Sequence, residues 1–117
     1  MKIQVNTDRN IEGDEALVQL VEAEVQYGLE RFDDRLTRVE VHLGDENAEK
    51  DGGGADKRCL LEARPAGMQP VVVTEFAETV EQAVVGATGK MQTLLNSRFG
   101  RIDGRDADAT IRQNDPT

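Results

Sequence analysis

Residue types that carry chemistry are sparse in this chain of 117 residues. Its one histidine, His42, and its one cysteine, Cys59, fall in strand-like segments on opposite sides. His42 alternates with Val41 and Leu43 and so points outward, whereas Cys59 shares its side with Leu61 and Ala63. A metal centre needs several ligands converging on one point, and a nucleophile needs an adjacent base; this pair offers neither. His42 is therefore expected as a solvent-facing strand histidine and Cys59 as a small core residue. The run Gly86-Ala-Thr-Gly-Lys90 looks like the end of a phosphate-binding loop. However, Val84 stands where that pattern needs glycine, Met91 stands where it needs Ser or Thr, and the run lies inside a helical stripe. The three glycines at 52–54 precede no helix, and Asp51 and Asp56 beside them would repel an anion. Glu22, Glu24 and Glu30 read as the solvated face of a helix, with no apolar pocket to raise a carboxyl pKa. The expectation is a protein without a catalytic constellation, metal site, cofactor or small-molecule substrate.

The remaining polar chemistry is basic. Lys57, Arg58 and Arg64 lie on or beside one predicted strand, and Arg38 has outward parity on another. Lys90, Arg98, Arg101 and Arg105 gather at the end of the last predicted helix and just beyond it. Two readings stand side by side: these bases touch phosphate, or they neutralise nearby acids, with Lys90 and Arg98 complementing the carbonyl end of their helix. The net charge is −9, and residues 1–56, with 15 acids against 6 bases, account for all of it. That asymmetry argues against indiscriminate binding to DNA or to anionic lipid, while leaving room for a local basic patch. Four aromatic residues, Tyr27, Phe32, Phe76 and Phe99, are too few for a base-stacking platform.

The elements that must position these side chains follow from hydrophobic period. Residues 2–6 alternate, with Ile3 and Val5 inward. Asp14 is a plausible N-cap, and Leu17, Leu20/Val21, Val25, Leu29 and Phe32 recur in steps of three and four, which predicts a helix over 15–33. Gly28 weakens that helix by ~1 kcal/mol relative to alanine. The period then switches to two, and Val39, Val41 and Leu43 predict a strand over 37–43. Residues 44–56, acidic and glycine-rich, read as a mobile loop. Further strands are predicted over 57–64 and 71–75, joined by a tight turn at Pro65-Ala-Gly67. Thr79-Val-Glu-Gln82 is a capping box opening a second helix, whose stripe is Val80, Ala83/Val84, Ala87, Met91 and Leu94/Leu95. After Phe99-Gly100 the periodicity stops. The predicted architecture is α+β, in the order β-α-β-β-β-α: a four-stranded sheet with two helices packed on one face. One domain is expected over 1–100, with a flexible polar tail over 101–117. No apolar run reaches 18 residues, the N-terminus lacks the apolar core of a secretory signal, and a lone cysteine forms no internal disulfide, so a cytoplasmic location is expected.

Four segments in this order resemble the ribosome hibernation-promoting factor family, also known as ribosome-associated inhibitor Y or the sigma-54 modulation/ribosomal subunit interface family, in its short form. They are IQVNTDRNIE from Ile3, EAL at Glu15, LERFDDRLTRVEVHL from Leu29, and ETVEQAVVGATGKMQTLL from Glu78, with a lysine at the family's position in Lys90. The resemblance covers about residues 2–100. It implies the same β-α-β-β-β-α fold and a non-enzymatic translation inhibitor of stressed or stationary cells. Such a protein binds the 30S ribosomal subunit in the channel used by messenger and transfer RNA and contacts 16S rRNA through basic residues. On that reading Arg38, Lys57, Arg58, Arg64, Lys90, Arg98 and Arg101 are the rRNA-binding candidates. The acidic first half motivates an alternative: a diverged member acting as a protein–protein interaction module without ribosome binding.

Overall fold

A computed structural model of the chain describes residues 1–46 and 56–111, the side chains of 101–111 excepted. The elements are β1 (Lys2–Thr7), α1 (Glu15–Gly28), a 3₁₀ segment (Glu30–Arg35), β2 (Leu36–Asp45), β3 (Lys57–Pro65), β4 (Val71–Ala77) and α2 (Val80–Ile111). The predicted order and fold class are thus observed. The sheet runs β1-β2-β3-β4, with β1 parallel to β2 and the other two pairs antiparallel. A parallel neighbour requires a crossover, and α1 supplies it.

One face of the sheet is covered and the other is open. Val39, Val41 and Leu43 of β2 register with Ala63, Leu61 and Cys59 of β3, respectively, on the covered face, and all six are buried with Val21, Val25, Leu29, Ala83, Val84, Ala87, Met91 and Leu95 from the helices. Burial at strict alternation is what the period-two stretch required. Of the three positions that the helical stripes left as alternatives, two resolve one way, with Val21 and Leu95 buried and Leu20 and Leu94 exposed, while Ala83 and Val84 are both buried.

Local chemistry sets most of the boundaries. Asp14 Oδ1 accepts from the Leu17 backbone N–H at 2.9 Å, and Thr79 Oγ1 accepts from the Gln82 N–H at 3.1 Å, so both helices start at the predicted caps. The Met68 N–H donates to the Pro65 carbonyl at 3.3 Å, and Gly67 takes φ 72°, a value that suits glycine in the third position of such a turn.

Strands β1, β3 and β4 run one or two residues past their predicted ends, and three boundaries differ in ways that carry physical meaning. The first α-helix stops at Gly28, not near 33. The Phe32 N–H bonds to the Leu29 carbonyl at 2.9 Å, an i→i+3 bond, and the chain tightens into the 3₁₀ segment. Steps of three (Leu29, Phe32, Arg35) match its three residues per turn and keep those side chains in line. The second strand is longer, Leu36–Asp45, with a bulge at Thr37. Finally, α2 continues to Ile111, past the end of its apolar stripe. A helix satisfies its own backbone hydrogen bonds, so it can continue beyond Phe99, the last buried residue among those whose side chains are described. Most of the predicted 44–56 loop, and residues 112–117, lie outside the described residues; the Glu46 N–H donates to the Asp56 carbonyl at 3.0 Å across the loop's neck.

Candidate nucleic-acid interface

Strand register decides which bases meet. On the open face, Lys2 of β1 is the partner of Arg38 on β2, which is the partner of Arg64 on β3. Three cations therefore form one row across three strands. The next row inward is Gln4, Glu40, Glu62 and Val72. Like charges directly opposite each other are unfavourable, and the remedy runs along each strand. Arg38 Nε lies 2.8 Å from Glu40 Oε2, and an Arg64 guanidinium nitrogen lies 3.1 Å from Glu62 Oε2. The Arg38 Nε–H is not aligned as a hydrogen bond to that oxygen, so the contact is an ion pair without a directed bond; Arg38 also donates to the Gln4 side chain. The bulge at Thr37, whose Oγ1 donates to the Arg64 carbonyl at 2.9 Å, sits beside this row and turns the strand end.

Glu40 is the electrostatic centre of the open face. Partial desolvation pushes its pKa up, but the His42 ring at 3.3 Å and the charges of Arg38 and Arg64 together hold it below the ordinary carboxylate value. His42 lies on this open face, as its parity required.

The 3₁₀ segment brings two further arginines to the same pole of the molecule. Phe32 and the end of α2 meet through Phe99, with ring centroids 5.7 Å apart. The Arg35 guanidinium lies 4.0 Å from the Phe99 centroid, and that of Arg31 lies 5.0 Å from the Phe32 centroid. Stacking on a ring fixes the orientation of a guanidinium. The Arg35 carbonyl accepts from the Ala66 N–H at 3.1 Å, which ties this segment to the end of β3 beside Arg64. The Met1 amino group pairs with Asp33 at 3.1 Å, and Arg98 precedes Phe99 on α2. Lys2, Arg31, Arg35, Arg38, Arg64 and Arg98, with the amino terminus, thus converge against five carboxylates: Glu30, Asp33, Asp34, Glu40 and Glu62. Among the described side chains this pole is locally positive, in a chain of net charge −9.

Of the seven candidates drawn from the sequence, Arg38, Arg64 and Arg98 belong to this pole. Lys57 and Arg58 sit at the opposite end of the sheet, each held by an acid: Lys57 Nζ is 3.2 Å from Asp45, and Arg58 Nε is 2.8 Å from Glu46. Lys57 has the parity of Cys59, so it is not on the open face at all. Lys90 leans over the edge of β4, 2.7 Å from Glu75 Oε1, and donates to the Thr74 carbonyl at 2.8 Å. A lysine there covers an otherwise open sheet edge. The Gly86–Lys90 run lies wholly within α2 and forms no loop. Arg101 is helical in backbone, and its side chain lies outside the described atoms. Lys2, Arg31 and Arg35 were not among the sequence candidates. The three-residue spacing of Phe32 and Arg35 was the available signal for Arg35; Lys2 required knowledge that β1 pairs with β2.

Cys59 is fully buried, and burial pushes its thiol up to about 12, so it supplies no thiolate near neutral pH. Among the described residues, no group of three or more His, Cys, Asp or Glu is arranged to hold a metal ion.

Two solved structures share the fold. The N-terminal domain of Protein Y from Thermus thermophilus superposes with a TM-score of 0.65 at 24% identity, covering 85% of this chain and 99% of that one. A ribosomal subunit interface protein from Coxiella burnetii superposes with a TM-score of 0.66 at 14% identity, covering 86% of this chain and 99% of that one. No curated protein matches the sequence. A family model described as sigma 54 modulation protein / S30EA ribosomal protein matches residues 4–103. With nearly the whole described domain inside that match, the chain belongs to the sigma 54 modulation protein / S30EA ribosomal protein family.

Proposed function

We propose that this protein is a non-catalytic, ribosome-associated translation inhibitor that binds 16S rRNA of the small subunit through its basic pole. The observation that carries the reading is the convergence of Lys2, Arg31, Arg35, Arg38, Arg64 and Arg98 at one end of an otherwise acidic molecule. Family membership supports the ribosome as the partner, and the Coxiella burnetii neighbour is itself a ribosomal subunit interface protein. Occupying the decoding channel would exclude messenger and transfer RNA and lower translation under stress.

Phosphate contacts supply most of such an affinity and make it salt-dependent: six of them lose about 10³-fold between 50 and 200 mM salt. The arginines stacked on Phe32 and Phe99 are pre-oriented for this task. Arg38 and Arg64 must exchange a carboxylate for a phosphate, and exposed pairs of that kind are worth only about 0–1 kcal/mol, so the exchange is inexpensive. The negative remainder of the surface orients the approach, because only one pole is attracted to RNA.

Co-sedimentation with purified 30S subunits at low and high salt tests the reading. Binding at low salt that is lost at high salt, and weakened by Arg64→Glu with Arg98→Glu, is the expected result. Absence of binding at low salt would refute it.

A second reading has its own observation. The open face carries an exposed apolar strip on β4, with Val72 52% and Phe76 46% exposed, and the pole opposite the basic one exposes Asp8 and Glu46. A protein partner would find both apolar and acidic surface there. Recovery from cell extract of one non-ribosomal protein and no ribosomal proteins would favour it.

A further inference from the structure

A depression of about 550 Å³ opens on the helix layer at the C-terminal end of α1, lined by Tyr27, Gly28, Glu30, Arg31 and Gln92. Its contents are unusual for a solvated helix surface. Tyr27 is 79% exposed, more than any other large apolar or aromatic side chain described. Gln92 Nε2 donates to the Gly28 carbonyl at 2.7 Å, which pins the amide and leaves its Oε1 as a fixed acceptor. Arg31 stacks on Phe32 and, among the described residues, pairs with no carboxylate. Glu30 and the Tyr27 hydroxyl likewise have no partner among the described residues. The site therefore offers one aromatic face, two acceptors and one cation, all uncommitted, at the margin of the basic pole.

We propose that this depression takes a single unstacked guanine base from a single-stranded RNA. The inference rests on the proposed RNA-binding function and adds a base-contacting subsite to it. The Tyr27 ring supplies the stacking face, as aromatic side chains do for splayed-out bases. Glu30 and the Gln92 Oε1 are acceptors. Guanine is the base whose Watson–Crick edge presents adjacent ring N–H and amino donors, and so it matches a pair of acceptors best. Arg31 meets the phosphate beside that base, continuing the row of cations at the pole. One tyrosine is no platform for a run of bases, so the site reads one position and leaves the rest of the strand to phosphate contacts.

The chain contains one tyrosine and no tryptophan, so its intrinsic emission reports on Tyr27 alone. Titration of the full chain with the RNA hexamers UUGUUU, UUAUUU and UUUUUU, and with guanosine monophosphate, is expected to give saturable quenching, tightest for UUGUUU by about tenfold over UUUUUU. With a labelled UUGUUU read by anisotropy, Tyr27→Ala should weaken binding about tenfold, and Tyr27→Phe should restore it. Because Tyr27 is exposed, neither variant removes core packing. Absence of quenching, or unchanged affinity in Tyr27→Ala, would overturn the subsite. Equal affinity for the three hexamers would overturn guanine, and guanosine monophosphate binding as tightly as UUGUUU would overturn RNA as its source. If Tyr27→Ala sediments with 30S subunits as the parent chain does, the subsite fails and the ribosome reading stands. If the parent chain does not sediment, the ribosome reading fails, and the fluorescence result still decides the subsite.

Discussion

Gly28→Ala is the substitution on which helix propensity and tertiary packing give opposite signs. Propensity alone credits alanine with about 1 kcal/mol inside a helix. The backbone at Gly28 does not need glycine, since the one positive φ among the described glycines belongs to Gly67. Packing does need it: a methyl group at position 28 would stand 2.3 Å from Thr88 Cγ2. Thr88 is 3% exposed on α2, so the obstacle is a buried side chain and not a flexible tip. Reaching van der Waals distance requires the helices to part by roughly 1 Å, and overpacking of this kind costs about 1–3 kcal/mol. The same movement loosens the 2.7 Å bond from Gln92 to the Gly28 carbonyl, worth about 1 kcal/mol. The net expectation is a loss of about 1–3 kcal/mol, read as a lower urea midpoint at unchanged slope. Thr88→Ala removes both the obstructing methyl and a buried hydroxyl that has no hydrogen-bond partner. In that background Gly28→Ala should be close to neutral, giving a coupling of about 1–3 kcal/mol. A Gly28→Ala protein as stable as its parent would refute the packing argument, and an equal loss in both backgrounds would move its origin away from Thr88.

Other expectations follow from the charges and the core. Glu40→Gln with Glu62→Gln frees Arg38 and Arg64, so 30S affinity should rise up to about fivefold; an unchanged sedimentation isotherm would remove those arginines from the interface. Lys90→Glu should weaken 30S binding less than Arg98→Glu, because Lys90 is engaged by Glu75 and the Thr74 carbonyl; competition sedimentation of the two variants decides the order. Burial raises the Cys59 thiol from 9.0 to about 12, aided by Glu75 and opposed by Arg58, so the folded chain keeps a proton that the unfolded chain loses. That contribution is whole below about pH 9 and falls by about 1.4 kcal/mol per unit above it, a slope that Cys59→Ala should lack in urea titrations across this range. Glu40 has the opposite sign: its depressed pKa contributes stability above 4.5 that is lost as pH falls through the folded value, so Glu40→Gln should flatten the acid limb of the unfolding profile.

The sequence by itself determined the sidedness of the elements. Val39, Val41 and Leu43 could be buried together only on one face of a strand, and Asp14, Thr79 and the Pro65–Gly67 turn marked their boundaries through hydrogen bonds within a few residues. The order β-α-β-β-β-α, the covered face and the family resemblance were legible for that reason: each rests on local periodicity or local bonding. The tertiary structure decided what depends on neighbours distant in the chain. Parallel pairing of β1 with β2 put Lys2 beside Arg38, and antiparallel register put Arg38 beside Arg64. Parity together with register separated Lys57 and Arg58, which the sequence had grouped with Arg64, and sent them to the other end of the sheet. Gly28 reads as a helix weakness in one dimension and is a point of contact with Thr88 in three. Lys90 is open in one dimension between touching phosphate and neutralising an acid, and in three it pairs with Glu75 over the β4 edge. A charge acts through space, and its partners are set by register and helix packing, so the basic pole became visible only once the strands were aligned.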